Sequence, residues 1–161
     1  MMKSTVTTQA RSDARFTASS ALYEKKQVQP EGHVSASAGR FILVIDNSPT
    51  IQKVVEMTLR REGYETRSFR DGIDAMRWFA RPEARTPDLM LVERDLPKMD
   101  GYEVIQKFKA KPRFAHTACI LLSQYANKAD QLTEQRAVAS LLKPFTTQEL
   151  LATVSLYATH T

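Results

Sequence analysis

An α/β fold on a parallel sheet is predicted for this 161-residue chain from three observations. Strand-length apolar runs alternate with helix-period segments five times beyond residue 40. Most of the runs are apolar at successive rather than alternate positions, the pattern of strands buried on both faces. Most of them also end in a polar residue, which lines up candidate chemistry along one edge of the sheet. Parallel strands need crossover connections, and those crossovers are right-handed, so helices are expected on both faces.

Composition narrows the class. Hydrophobic residues make up 42% and charged residues 25%, the mix of a globular protein with one core. No apolar stretch approaches the ~20 residues that cross a bilayer, and the N-terminus lacks the continuous apolar segment of a secretory leader. A cytoplasmic location without membrane contact is expected. The single cysteine, Cys119, has no partner for a disulfide or a metal site and reads as a small buried apolar residue. The net charge of +5 includes +2 from residues 1–39 and is spread along the chain. "LRRE" and "KFKAKPR" read as solvated helix faces, with no helix-turn-helix or zinc spacing beside them, so no nucleic-acid partner is expected.

Residues 1–39 are rich in Ser, Thr and Ala, have no sustained period, and are expected to form a disordered tail and linker. The folded domain spans 40–161. "FILVID" (41–46) is the first strand. Ser48 as a cap and Pro49 at the first helical position open a helix carrying Ile51, Val54, Val55 and Leu59, and Gly63 stops it. "YETRSF" is a weakly alternating second strand, and "DGIDAMRWFA" a helix with Ile73, Met76, Trp78 and Phe79 as its apolar members. "DLMLVE" (88–93) is the third strand, followed by the helix "GYEVIQKFKA" with Val104, Ile105 and Phe108 inward. "ACILLS" (118–123), a polar helix "KADQLTEQRA", "VASLL" (138–142) and a closing helix "TTQELLATVSLYA" with Leu150, Leu151, Val154 and Leu156 complete the chain. This count predicts a flavodoxin-like, doubly wound five-stranded sheet in the order 2-1-3-4-5, with ligands at the carboxyl ends of the first and third strands. Asp46-Asn47, Glu93, Ser123 and Lys143-Pro144 all fall at that edge.

These residues carry a resemblance. From about residue 40 to 159 the chain resembles the receiver domain of bacterial two-component response regulators, of the single-domain, chemotaxis type. "VIDNSPT" matches the family's acidic first-strand end, "LPKMDGYEV" the loop after its phosphate-accepting aspartate, Ser123 its fourth-strand hydroxyl, and Lys143-Pro144 its Lys-Pro pair. The resemblance implies a phosphorelay module that meets a histidine kinase or a downstream signalling protein, as a monomer or weak homodimer. It also implies an acidic pocket holding Mg²⁺ through Asp46, Asn47 and the main-chain carbonyl of Asp95, and a cis peptide bond before Pro144.

The chemistry explains the residue types. A carboxylate attacking a phosphoryl donor brings two anions together, so a divalent cation and a lysine must offset the charge. Hydroxyl and ammonium groups then hold the new phosphoryl oxygens. Three positions depart from the family pattern. The phosphate-accepting aspartate is replaced by Glu93, whose carboxylate sits one methylene, about 1.5 Å, further out; a misplacement of ~1 Å can cost about 100-fold in rate. Asn47 removes one negative charge from the cation site, so no cofactor is required and Mg²⁺ is held weakly or not at all. Ser140 stands at the family's switch-aromatic position, three before Lys143.

The resemblance thus implies an atypical pseudo-receiver that is not an enzyme. A conventional receiver phosphorylated by a histidine kinase is the alternative. A small flavodoxin-like enzyme or nucleotide binder is more remote, because "DNSPT" lacks the glycine loop that cradles phosphates. Simpler roles are available to the same residues. Asp46 can accept bonds from the first helix, Glu93 can be an ion-pair partner of Lys143, Ser123 can be a strand-end hydroxyl, and Asp95 can be a solvated loop carboxylate.

Overall fold

In the computed structural model, residues 39–126 and 136–158 are described. The expected tail, apart from Gly39, and nearly all of the expected polar helix after the fourth strand lie outside them. Five strands, β1 (Phe41–Ile45), β2 (Glu65–Phe69), β3 (Leu89–Glu93), β4 (Ala118–Ser123) and β5 (Ala139–Leu142), form one sheet in the order β2-β1-β3-β4-β5, and every pairing is parallel. The predicted strand order and parallel pairing are thus present. Helices α1 (Pro49–Arg61), α2 (Gly72–Phe79), α3 (Gly101–Lys109) and α4 (Thr147–Tyr157) connect and close it, with a 3-10 turn at Pro112–Phe114.

The helix ends follow side-chain chemistry. Ser48 caps α1 through its side chain, Pro49 takes the first helical position, and Gly63 leaves the helix at φ +88°, a conformation a Cβ disfavours. Asp71 and Asp100 cap α2 and α3, and Thr146 with Glu149 forms a capping box on α4.

Successive strand residues serve opposite layers, which is why the runs lack alternation. Leu43, Ile45, Met90, Val92 and Leu121 pack with α2 and α3, whereas Ile42, Val44, Leu91, Ile120 and Leu122 pack with α1 and α4. The first layer is aromatic. The rings of Phe108 and Phe114 stack at 4.2 Å, and Phe79 meets them edge-on at 4.9 and 5.0 Å. Cys119 is fully buried there, and burial pushes its thiol up to about 12, in keeping with an apolar role.

Two helix assignments need correction. Val54 on α1 and Leu156 on α4, counted among the apolar positions of their helices, are 48% and 66% exposed. The buried stripe of α1 is Val55 and Leu59, that of α4 is Leu150 and Val154, and Ala75 rather than Ile73 is the fully buried centre of α2.

Replacing Phe108 with Ala removes the ring that contacts both Phe79 and Phe114. The expected loss of unfolding free energy is about 3–5 kcal/mol, measured by urea denaturation followed by circular dichroism.

Candidate functional site

The carboxyl edge of the sheet gathers the predicted residues. Asp46 follows the last residue of β1, Glu93 ends β3, and Lys143 follows β5. Asp46 is wholly buried and Glu93 is 4% exposed. The Lys143 ammonium donates to Asp46 Oδ2 at 2.6 Å and also to Glu93 Oε2. The second oxygen of each carboxylate is occupied as well. Asp46 Oδ1 accepts from the Ser48 backbone N–H at 2.8 Å, and Glu93 Oε1 accepts from the Asp95 N–H at 3.1 Å. Asp46 therefore serves the start of α1 and the lysine together.

The other predicted residues surround this centre. Ser123 is buried at the end of β4, and its hydroxyl accepts from the Tyr125 N–H at 3.0 Å. Its carbonyl accepts from the Lys143 N–H at 2.7 Å, which seats the start of the Lys-Pro segment on β4. The Lys143–Pro144 peptide bond is cis, as the resemblance implied. Asn47 and Asp95 are exposed at the mouth, and Ser140 lies half-buried inside β5, in register with Leu121.

Gly101 holds the loop between β3 and α3 against the site. A Cβ there would stand 2.3 Å from the Glu93 carbonyl oxygen, and the Gly101 N–H donates to the Arg94 carbonyl at 2.8 Å. The same loop passes through Lys98 at φ +68°, whose ammonium pairs with Asp71 at 3.3 Å. The cap bond from Asp74 and the nearby ammonium hold the Asp71 carboxyl below its usual range, the backbone bond being the larger cause. Sequence reasoning missed this tie, and it also missed Arg94, whose guanidinium lies 5.6 Å from the Tyr102 ring centre and 5.5 Å from that of Tyr125. The helix-cap Asp71 was a readable signal; the Arg94 stack joins α3 to the segment after β4 and has no local pattern.

The family model for the response regulator receiver domain matches residues 42–155. The chain belongs to the response regulator receiver domain family. Among its relatives, protein PilG of Pseudomonas aeruginosa is 32% identical over 121 residues, covering 73% of this chain and 87% of PilG. The DNA-binding dual master transcriptional regulator RpaA of Synechocystis sp. is 32% identical over 115 residues, 70% of this chain, and the chain spans only 46% of that longer protein. Among solved structures, the receiver domain of sensor histidine kinase PA1611 from Pseudomonas aeruginosa, which has a magnesium ion coordinated in its active-site cleft, superposes with a TM-score of 0.67. It is 29% identical and the match covers 76% of this chain and all of that one.

Receiver domains bind a divalent cation weakly, and the residues here fit that class of site in part. The Asp46 carboxylate, the Asn47 amide oxygen and the Asp95 carbonyl are hard oxygen donors of the kind Mg²⁺ takes. Among the described residues no group of three or more His, Cys, Asp or Glu is arranged to hold a metal. Lys143 also occupies one oxygen of Asp46. Burial works against the Lys143 ammonium, but hydrogen bonds to Asp46 and Glu93 and the charges of both outweigh it, so the lysine titrates above its ordinary value of 10.5.

A raised folded-state value means the receiver gains stability from Lys143 below pH 10.5 and loses it as pH climbs through the folded value. Lys143→Met is expected to cost about 3–5 kcal/mol at neutral pH, because two buried carboxylates lose their cation. Its unfolding free energy should fall less than that of the parent between pH 9 and pH 12 in urea titrations, about a three-unit span centred on the ordinary lysine value. Gly101→Ala, which forces a methyl onto the β3 backbone, should cost about 1–3 kcal/mol in the same assay.

Proposed function

We propose that this receiver works as a protein–protein signalling module in a two-component pathway, with phosphoryl acceptance lost or strongly impaired, and not as an enzyme. The observation that carries the reading is the closed contact of Lys143 with Asp46 and Glu93. Both oxygens of Glu93, the residue at the phosphate-accepting position, already have partners. A nucleophile so held must break a charge-assisted bond before it can attack. Asn47, with one charge fewer than an aspartate, leaves a Mg²⁺ site too weak to offset two meeting anions.

Within the reading, Glu93 partly imitates a phosphorylated aspartate. It brings one negative charge where a phosphoryl group brings about −1.5 to −2, and it biases the conformational equilibrium without an input. The output is contact with a histidine kinase or a downstream protein. Val138, Leu142 and Leu156 are 43%, 51% and 66% exposed around β5 and α4, and Tyr125 is 61% exposed beyond β4. Exposed apolar and tyrosine side chains near the last two strands and the closing helix favour a protein partner.

The competing reading is a conventional receiver that a histidine kinase phosphorylates, and the exposed Asp95 beside the site is the residue that favours it. Incubation of the full chain with acetyl phosphate and Mg²⁺, followed by intact mass, separates the two. The expected result is no added phosphoryl group on the parent and one added group on the Glu93→Asp, Asn47→Asp double variant. Stoichiometric phosphorylation of the parent that disappears on replacing Glu93 or Asp95 would refute the proposal.

A further inference from the structure

Strand β2 lies at one edge of the sheet, and β1 is its only strand partner among the described residues. The Glu65 N–H donates to the Arg40 carbonyl, and the Phe69 carbonyl accepts from the Asp46 N–H. Glu65, Arg67 and Phe69 therefore turn their backbone groups toward β1, and Thr66 and Ser68 turn theirs outward. The side chains divide by face. Thr66 and Ser68 bond Arg60 and Glu56 of α1, whereas the Arg67 guanidinium lies 4.6 Å from the Trp78 ring centre of α2 and 5.6 Å from that of Phe69.

On the α2 face the edge thus shows an acid and a base at alternate positions. Arg67 is exposed and makes no ion pair among the described residues, although Arg60, Arg77, Arg85 and Arg94 all do. Stacking on Trp78 holds its donors in place beside the open edge. The Glu65 side chain is 61% exposed and meets Arg85 at 2.7 Å on one side only. An open cleft of about 280 Å³, lined by Phe41, Glu65, Thr66, Arg67, Trp78 and Arg85, runs along these groups.

We infer that the β2 edge is a self-association surface, on which a second copy of this chain pairs antiparallel about a two-fold axis at Thr66. In that register the outward backbone groups of Thr66 bond those of Thr66 in the second copy, and the Ser68 N–H donates to the Tyr64 carbonyl of the second copy, the Tyr64 N–H already donating to the Leu59 carbonyl at 3.1 Å. Glu65 then faces Arg67 of the second copy, and Arg67 faces its Glu65, at the closely spaced positions where Cα atoms are ~4.5 Å apart. An axis normal to the sheet keeps both α2 faces on the same side, so the four charges form one alternating group. Neighbouring registers are worse. Centring on Arg67 sets two guanidinium groups opposite each other, and centring on Ser68 sets Glu65 opposite Asp71. Charges of one sign on an edge keep copies apart; this pair, alternating in sign, attracts in one register and repels in the others. Five residues span only about 17 Å, well short of a standard interface, so the dimer is weak and sensitive to salt.

The test is sedimentation velocity on the full chain across a concentration series, at low and high salt. The parent should pass from monomer to dimer as concentration rises, and more weakly in high salt. Arg67→Glu and Glu65→Arg should each weaken association at least about tenfold, and the two variants mixed should dimerise with each other, because opposite charges then face across the axis. Hydrogen exchange on the parent, which needs no variant, should show the Thr66 and Ser68 amides becoming protected as concentration rises. A parent monomeric throughout, a variant that dimerises as the parent does, a mixture that stays monomeric, or unchanged exchange at these two amides would each overturn the inference.

Discussion

Asp46 and Glu93 end adjacent strands with almost no access to water, and two carboxylates so placed repel each other and lose their hydration. The Lys143 ammonium offsets both, and the rest of the site is arranged to deliver it. β5 must join the sheet beyond β4 so that Lys143 arrives at the right height, and its N–H bonds the Ser123 carbonyl to fix the crossing. The loop after β3 must then turn back tightly, which Gly101 permits by packing directly on the Glu93 carbonyl. A buried ion group of this kind does not by itself add much stability over apolar packing of equal volume. Its effect is to make the three strand ends mutually dependent, so that a change in any one charge is felt at the other two.

On the proposed reading, in which Glu93 stands for an aspartate, its added methylene acts on this arrangement in two ways. It carries the carboxylate far enough to meet Lys143 while its other oxygen takes the Asp95 N–H, and it leaves the loop bonded to the same side chain that holds the lysine. On the proposed reading one residue thus replaces both the acceptor and part of the group it would accept. The replacement is incomplete in charge, since one carboxylate is less negative than a phosphoryl group. The Ser123 hydroxyl accepts from the Tyr125 N–H, an amide of its own loop.

Much of this was legible in the sequence because the strands announce themselves. Continuous runs such as Leu89–Val92 can be satisfied only between two layers of helices, and polar residues at their ends fall at one edge once the strands are parallel. Surface helices were less legible. Val54 and Val55 are neighbours on α1 and equally apolar, and only packing against the sheet decides that Val55 is inside. Of the contacts between distant segments, the pairing of Glu93 with Lys143 was legible and those around the loop after β3 were not. Lys98 with Asp71, and Arg94 between Tyr102 and Tyr125, depend on the exact path of the loop after β3, including a positive φ at a lysine that composition alone gives no reason to expect.

The two outer strands of the sheet carry different chemistry, and this bears on how the domain can meet other molecules. Around β5 the exposed side chains include Val138 and Leu142, where burial of apolar area drives association and salt matters little. On β2 they are Glu65 and Arg67, where attraction depends on register and is screened by salt. The ion group at the carboxyl edge touches the β5 side directly, because Lys143 follows β5 in the chain, whereas β2 reaches it only through β1 and the bond from the Asp46 N–H to the Phe69 carbonyl. The contact of Glu93 with Lys143 therefore adjoins the apolar side directly and the charged edge only through β1.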